Sequence, residues 1–239
     1  IVCVANQKGG VGKTTTASNV AAGLAKAGMQ TLLVDLDPQC NATTGLGGVP
    51  AKTHPLVSEA ALGENVVSTA VTNLSLLPGS RSVRDVERIA EQARAGSMVL
   101  SNHLSCGLNA WDYCLIDCPP PLGELTRTAL AGSTEVLMPI QCEYFALEGL
   151  TQMIEVIRDV MADQPGRLSF SGIVLTMHDA NLELTTEVER EVRDFFGEIV
   201  FDTVIPRDVT VSEAPSHALS VLDYAPRSLG ARAYTELCM

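Results

Sequence analysis

Short apolar runs alternate with longer segments of helical periodicity along the whole chain. Seven runs are predicted to be strands, and several of them are apolar at nearly every position, as strands buried on both faces are. These predicted strands cover residues 1–5, 31–35, 74–77, 113–117, 135–140, 171–176 and 199–204. The segments with helical periodicity cover residues 13–27, 83–95, 122–131, 146–161, 184–196 and 229–237.

This regular alternation predicts the fold class. Strands that alternate with helices form βαβ units, so we expect an α/β fold with a doubly wound, mostly parallel sheet and helices on both faces. No internal repeat, low-complexity tract or linker rich in Pro or Gly divides the 239 residues. The sequence therefore predicts a single domain over residues 1–239.

Composition and charge exclude several function classes. The chain has 16 Lys and Arg against 28 Asp and Glu, a net charge of −12, which argues against coating nucleic acid through bulk charge. Aromatic residues make up 4%, too few for base-stacking platforms. No apolar run approaches the roughly 18 residues of a membrane span, and the N-terminus has no basic leader pattern. These features predict a cytoplasmic protein.

The most informative segment is N-Q-K-G-G-V-G-K-T-T at residues 6–15, between the first predicted strand and the first predicted helix. Glycines let successive backbone N–H groups turn inward around phosphate oxygens, and the helix adds its positive N-terminal dipole. In such a loop Lys13 would reach the β- and γ-phosphates and the Thr14 hydroxyl would ligate Mg²⁺. Gln7 occupies the position of the first glycine in the usual phosphate-loop pattern.

A dinucleotide site is the alternative interpretation of this loop. Gly10 and Gly12 with Thr15 resemble the dinucleotide fingerprint with its third glycine lost, and Asp35 follows at a distance suited to a ribose contact. The adjacent Lys13 and Thr14 argue against this interpretation. A lysine and a magnesium-binding hydroxyl serve a triphosphate, and a dinucleotide loop has no use for them.

The segment K-G-G-V-G-K-T-T-T, with its second lysine at Lys8, resembles the deviant Walker A motif of the ParA/MinD family of P-loop ATPases. Further blocks of resemblance lie at residues 32–43, 113–120, 141–150, 204–207 and 212–215. Together they most resemble the chromosomal ParA (Soj) partition branch.

The resemblance implies slow hydrolysis of ATP to ADP with Mg²⁺, coupled to dimerisation. It implies catalytic roles for Lys13, for Lys8, which would touch the phosphates of the partner's ATP, and for Asp37, which would orient the attacking water. Metal ligands would be Thr14, Asp35 and Asp117. Nucleotide contacts would come from Gly9, Gly10, Val11, Gly12, Lys13, Thr14, Thr15, Met177, Pro206, Arg207 and Asp208, of which the last four would contact the base.

The resemblance also implies partners and a role in chromosome or plasmid DNA partitioning. These partners are a second copy of the chain in an ATP-dependent sandwich homodimer, a ParB-like activator and non-specific DNA, with association to the nucleoid. The alternative is an ATPase that positions a protein cargo without strong DNA binding. MinD-like members bind lipid through a basic amphipathic C-terminal helix, whereas residues 231–239 are not basic, so no membrane contact is predicted.

Two departures from the family pattern bear on DNA binding. Asn181 and Thr210 stand where Soj-like members often have arginines that contribute to DNA binding. From Leu150 onward there are 7 Arg, no Lys and 15 Asp and Glu, which is a net charge of −8. The sequence therefore predicts weak binding of non-specific DNA.

Overall fold

Eight strands form one sheet in the computed structural model, which describes residues 1–55, 62–83, 108–120, 123–143, 146–163 and 165–239. In chain order they are β1 (Val2–Val4), β2 (Thr31–Asp35), β3 (Val67–Ser68), β4 (Leu74–Leu77), β5 (Tyr113–Asp117), β6 (Glu135–Gln141), β7 (Ser169–His178) and β8 (Val200–Pro206). Across the sheet the order is β3-β4-β2-β5-β1-β6-β7-β8. Only the β3–β4 pair is antiparallel among these strands, which confirms the predicted mostly parallel sheet.

Helices cover both faces of this sheet. They are α1 (Lys13–Lys26), α2 (Asn41–Gly45), α3 (Leu62–Asn65), α4 (Glu124–Gly132), α5 (Ala146–Asp163), α6 (Glu183–Phe196), α7 (Val209–Glu213), α8 (Val221–Tyr224) and α9 (Leu229–Leu237). Successive strand side chains point to opposite faces. Leu33 accordingly packs in a core with α1 and α9, whereas Leu32 and Val34 pack in a core with α4, α5 and α6.

Most predicted elements agree with the structure, and the differences have local causes. The bounds of β2, β4, β5 and α9 are as predicted. The β3 strand and the helices α2, α3, α7 and α8 were not predicted, because two to five residues are too few to show a period. Apart from Val83, the helix predicted over residues 83–95 lies outside the described residues.

The topology places a ligand crevice beside β1. This strand lies between β5 and β6 at the centre of the sheet. The chain leaves β1 through α1 toward β2 on one side, whereas it leaves β5 through α4 and reaches β6 on the other side. Open α/β sheets bind ligands at the carboxyl ends of the strands where the direction of winding reverses. The loop between β1 and α1 lies at this point.

Among the residues that the structure describes, no helix combines the length and the apolar character needed to cross a bilayer.

Candidate active site

The loop between β1 and α1 is held in shape by its own glycines and by neighbouring strands. Gly10 and Gly12 have φ angles of 77° and 88°, in the left-handed region that favours glycine. Thr176 Oγ1 on β7 donates a hydrogen bond of 2.9 Å to the Val11 carbonyl, and Asn6 Nδ2 donates one of 2.7 Å to a carbonyl of β6. These bonds fix the loop over the carboxyl ends of the central strands.

Lys13 is the first residue of α1, and its side chain is folded back into this loop. The residue is 6% exposed, and its Nζ donates a hydrogen bond of 2.7 Å to the Lys8 carbonyl. Burial lowers the pKa of Lys13, while the nearby Asp117 carboxylate acts to raise it. A buried cation at a helix N-terminus is a favourable partner for an anion such as phosphate.

Asp117, at the end of β5, has the properties of a metal ligand. It is fully buried, and neither carboxylate oxygen has a hydrogen-bond partner among the described residues. Burial raises the pKa of Asp117 well above its usual value. The nearby Thr14 hydroxyl acts to lower this pKa, although the two groups do not meet the geometry of a hydrogen bond. Buried carboxylates without partners are rare. This carboxylate and the Thr14 hydroxyl supply oxygen ligands of the kind Mg²⁺ prefers, so the residues fit the ion.

Asp35, which pairs in register with Asp117 on the adjacent strand, organises the following loop. It is fully buried, and its Oδ2 accepts hydrogen bonds from Thr43 N at 2.8 Å and Thr43 Oγ1 at 2.6 Å. Its Oδ1 accepts one from Asp37 N at 3.1 Å. Burial raises the pKa of Asp35 to about 6. The metal role of Asp35 stays a prediction, since both its oxygens accept bonds from this loop.

A cavity of about 320 Å³ brings the phosphate loop together with Asp37. Asp37 is 8% exposed, and its Oδ1 accepts a hydrogen bond of 2.8 Å from Gln39 N. The cavity is lined by Gly9, Gly10, Gly12, Lys13, Thr14, Thr15, Asp37, Gln39, Asn41, Pro120 and Met177. The sequence did not single out Gln39, Asn41 and Pro120, although they lie in the blocks that resemble the family.

A second cavity, of about 100 Å³, adjoins the first and shares Gly12, Thr15 and Met177 with it. Its lining includes all four residues predicted to contact the base, which are Met177, Pro206, Arg207 and Asp208. Tyr234 of α9 also lines it, and no local pattern in the sequence could have indicated that. Base contacts stay a prediction.

Lys8 lies at the rim of the loop. Its side chain is 38% exposed, and its Nζ lies 3.4 Å from Glu143 Oε2. Exposed ion pairs of this kind contribute about 0–1 kcal/mol to stability. Lys8 can therefore exchange Glu143 for another anionic partner at little cost in free energy.

Comparison with known proteins agrees with this geometry. Residues 1–170 match the family model described as an AAA domain. The chain is 45% identical over 236 residues to the chromosome-partitioning ATPase Soj of Treponema pallidum, covering 97% of this chain and 92% of that protein. It is 43% identical over 242 residues to the sporulation initiation inhibitor protein Soj of Bacillus subtilis, covering 99% and 96% of the two chains.

A solved structure extends the agreement to the fold. Cobyrinic acid a,c-diamide synthase from Mycobacterium smegmatis, with bound ADP and magnesium, is 31% identical and superposes with a TM-score of 0.86. The match covers 99% of this chain and 91% of that chain. With its deviant phosphate loop and its full-length similarity to Soj proteins, the chain belongs to the Soj branch of the ParA/MinD family of P-loop ATPases.

Proposed function

We propose that the chain is an ATP-dependent dimerisation switch that acts in chromosome partitioning, with ATP or ADP and Mg²⁺ held in the two adjoining cavities. The observation that most directly supports the binding of nucleotide and Mg²⁺ is the unpartnered, fully buried Asp117 carboxylate beside the buried Lys13 ammonium. The names of the relatives, chromosome-partitioning ATPase and chromosome partitioning protein ParA, favour this role over positioning a protein cargo without strong DNA binding.

In this proposal the phosphates lie in the larger cavity. The backbone N–H groups of residues 9–15 surround the phosphate oxygens, and Lys13 exchanges the Lys8 carbonyl for the β- and γ-phosphates. Thr14, Asp35 and Asp117 hold the magnesium ion, directly or through water. When bound, the ion neutralises phosphate charge and polarises the γ-phosphoryl group.

Asp37 orients the water that attacks the γ-phosphate. Its carboxylate faces the same cavity as the phosphate loop, and its backbone N–H is tied to Asp35. Phosphoryl transfer depends mainly on positioning and charge stabilisation, so a carboxylate held in place on a rigid loop suits the task.

Lys8 acts across the dimer interface in this proposal. Its ammonium leaves Glu143 and contacts the phosphates of the partner's ATP, so the dimer forms only when both sites hold triphosphate. A ParB-like activator then stimulates hydrolysis and the dimer opens. In this proposal the protein acts in the cytoplasm, and its association with the nucleoid is as weak as its DNA binding.

Replacement of Lys8 by alanine is expected to leave nucleotide binding intact and to abolish ATP-dependent dimerisation, because the phosphate it contacts belongs to the other subunit. Size-exclusion chromatography with ATP, together with titration of a fluorescent ATP analogue, measures the two properties separately. Lys52→Ala removes an exposed lysine away from the cavity and is the matched control. A Lys8→Ala variant that still dimerises with ATP would remove Lys8 from this role.

The structure supports the prediction of weak DNA binding. The Thr210 hydroxyl donates a hydrogen bond of 2.7 Å to Asp208, and the Asn181 amide donates one of 3.0 Å to Asp179. Arg193 donates bonds to Glu189 and to carbonyls of β8. These three side chains bond within the protein. Each missing phosphate contact also reduces, by about 0.9, the steepness with which the logarithm of the DNA affinity falls with the logarithm of the salt concentration.

We therefore expect the ATP-bound dimer to bind non-specific duplex DNA weakly, or only at low salt. A mobility-shift titration with ATP between about 50 and about 200 mM salt measures this, since phosphate contacts dominate non-specific affinity. Asn181→Arg, at an exposed position, is expected to tighten binding and to steepen its salt dependence. Submicromolar binding by the unchanged protein at the higher salt would contradict the prediction.

A further inference from the structure

Asp208 ties one wall of the smaller cavity to the C-terminal helix α9. Its Oδ1 accepts hydrogen bonds from Thr210 N at 2.9 Å and Thr210 Oγ1 at 2.7 Å, which caps α7. Its Oδ2 accepts one of 2.9 Å from Gly230 N, in the first turn of α9. A single carboxylate therefore joins two helices whose residues both line this cavity.

The close approach of α9 requires glycine at position 230. A Cβ atom there would lie 2.3 Å from Val211 Cγ2 and 3.3 Å from Asp208 Oδ2. Further along α9, the fully buried Tyr234 lines the cavity, and its hydroxyl lies 3.3 Å from Thr16 Oγ1 on α1. The helix thus contacts the cavity wall at its first turn and the helix of the phosphate loop near its end.

We propose that Asp208 is a positioning residue for the nucleotide base. Its carboxylate holds the cavity wall formed by residues 205–212 against α9 and so sets the width of the smaller cavity, where the base binds. This inference rests on the proposed function, which places the nucleotide in the two cavities and therefore the base in the smaller one. Both oxygens of Asp208 already accept protein hydrogen bonds, so its side chain acts on the base through the wall.

The two cavities make this role separable from phosphate binding. Asp208 lines only the smaller cavity, whereas Lys13, Thr14 and Asp37 line only the larger one. Tripolyphosphate has the phosphates of ATP and no base, so its affinity should not depend on Asp208. The affinity for ADP should depend on it.

The decisive variant is Asp208→Asn. The asparagine oxygen can still accept from Thr210 and cap α7, but the amide NH₂ then faces the Gly230 N–H, donor against donor. The substitution removes the bond from Gly230 N, which weakens the tie to α9, and preserves the cap. We expect the affinity for Mg-ADP to fall about tenfold, as loss of a charge-assisted hydrogen bond implies, with tripolyphosphate affinity unchanged within about twofold. Calorimetric titration of each ligand measures both.

Two further variants complete the test. Gly230→Ala pushes α9 away from the wall and is expected to reproduce the selective loss of ADP affinity. Asp112→Asn neutralises a carboxylate at the opposite end of the sheet, where it accepts a bond of 2.8 Å from Gln30 N, so it changes the net charge equally and is expected to change neither affinity.

The proposal is overturned if Asp208→Asn and Gly230→Ala bind ADP as the unchanged protein does. It is equally overturned if they lose ADP and tripolyphosphate affinity to the same extent. Failure of the unchanged protein to bind Mg-ADP would instead refute the proposed function, so the two results are distinguishable.

Discussion

Replacing Lys13 with alanine is expected to abolish measurable nucleotide binding. The Lys13 ammonium is buried at the start of α1 beside Asp117, and its removal leaves that carboxylate and the incoming phosphates without a compensating cation. Truncating one partner of a buried, hydrogen-bonded charge pair in a complex costs about 2–5 kcal/mol, which is about thirtyfold or more in affinity. Titration of a fluorescent ATP analogue measures the loss.

The control for this variant is Lys26→Ala. Lys26 lies in the last turn of the same helix, where its ammonium pairs with Asp223, so its removal changes the net charge equally and leaves the loop untouched. It is expected to bind the analogue as the unchanged protein does. If Lys13→Ala retained an affinity within about threefold of the unchanged protein, less than 1 kcal/mol, the assignment of the phosphate site would be wrong.

Replacing Asp37 with alanine is expected to trap the ATP-bound dimer. The variant keeps the phosphate loop and Lys8, so the contacts proposed to close the dimer survive, whereas the carboxylate that orients water is lost. Loss of one such contact lowers the rate about 10²-fold or more, on the order of 3 kcal/mol. Phosphate release and size-exclusion chromatography with ATP measure the hydrolysis rate and the dimer.

Asp37→Asn separates the charge of this residue from its structural role. The amide oxygen can still accept the bond that Asp37 receives from Gln39 N, so the loop is preserved. Both variants are expected to lose hydrolysis, because the neutral amide of asparagine holds the attacking water less strongly than a carboxylate does. Hydrolysis by Asp37→Ala at the unchanged rate would show that another group positions the water.

The central part of the fold could be predicted from short stretches of sequence. The central positions of the strands β2 and β5 are apolar because both faces of the sheet are covered by helices, and this gives short apolar runs with clear ends. The phosphate loop was equally predictable, because its glycines, Lys13 and Thr14 are adjacent in the chain and act through backbone geometry. In both cases the residues that carry the signal are adjacent in the chain.

Contacts between distant segments could not be predicted in this way. Tyr234 reaches the smaller cavity, and Asp208 accepts a bond from Gly230, only because α9 packs against the end of β8. A hydrogen bond between residues 22 positions apart leaves no period and no motif in the sequence. The sequence indicated residues 206–208 through their resemblance to a family, and it did not indicate what Asp208 holds in place.

The two carboxylates at the end of β2 show the difference between local and tertiary information. The sequence by itself determined that Asp35 ends a buried strand and that Asp37 follows it. Only the tertiary structure decided how they differ. Asp35 is fully buried and its oxygens accept three hydrogen bonds, because Thr43 folds back onto it, whereas Asp37 faces the cavity. Burial and the direction of a side chain arise from packing between segments, so a pair of identical residues acquires different roles in the fold.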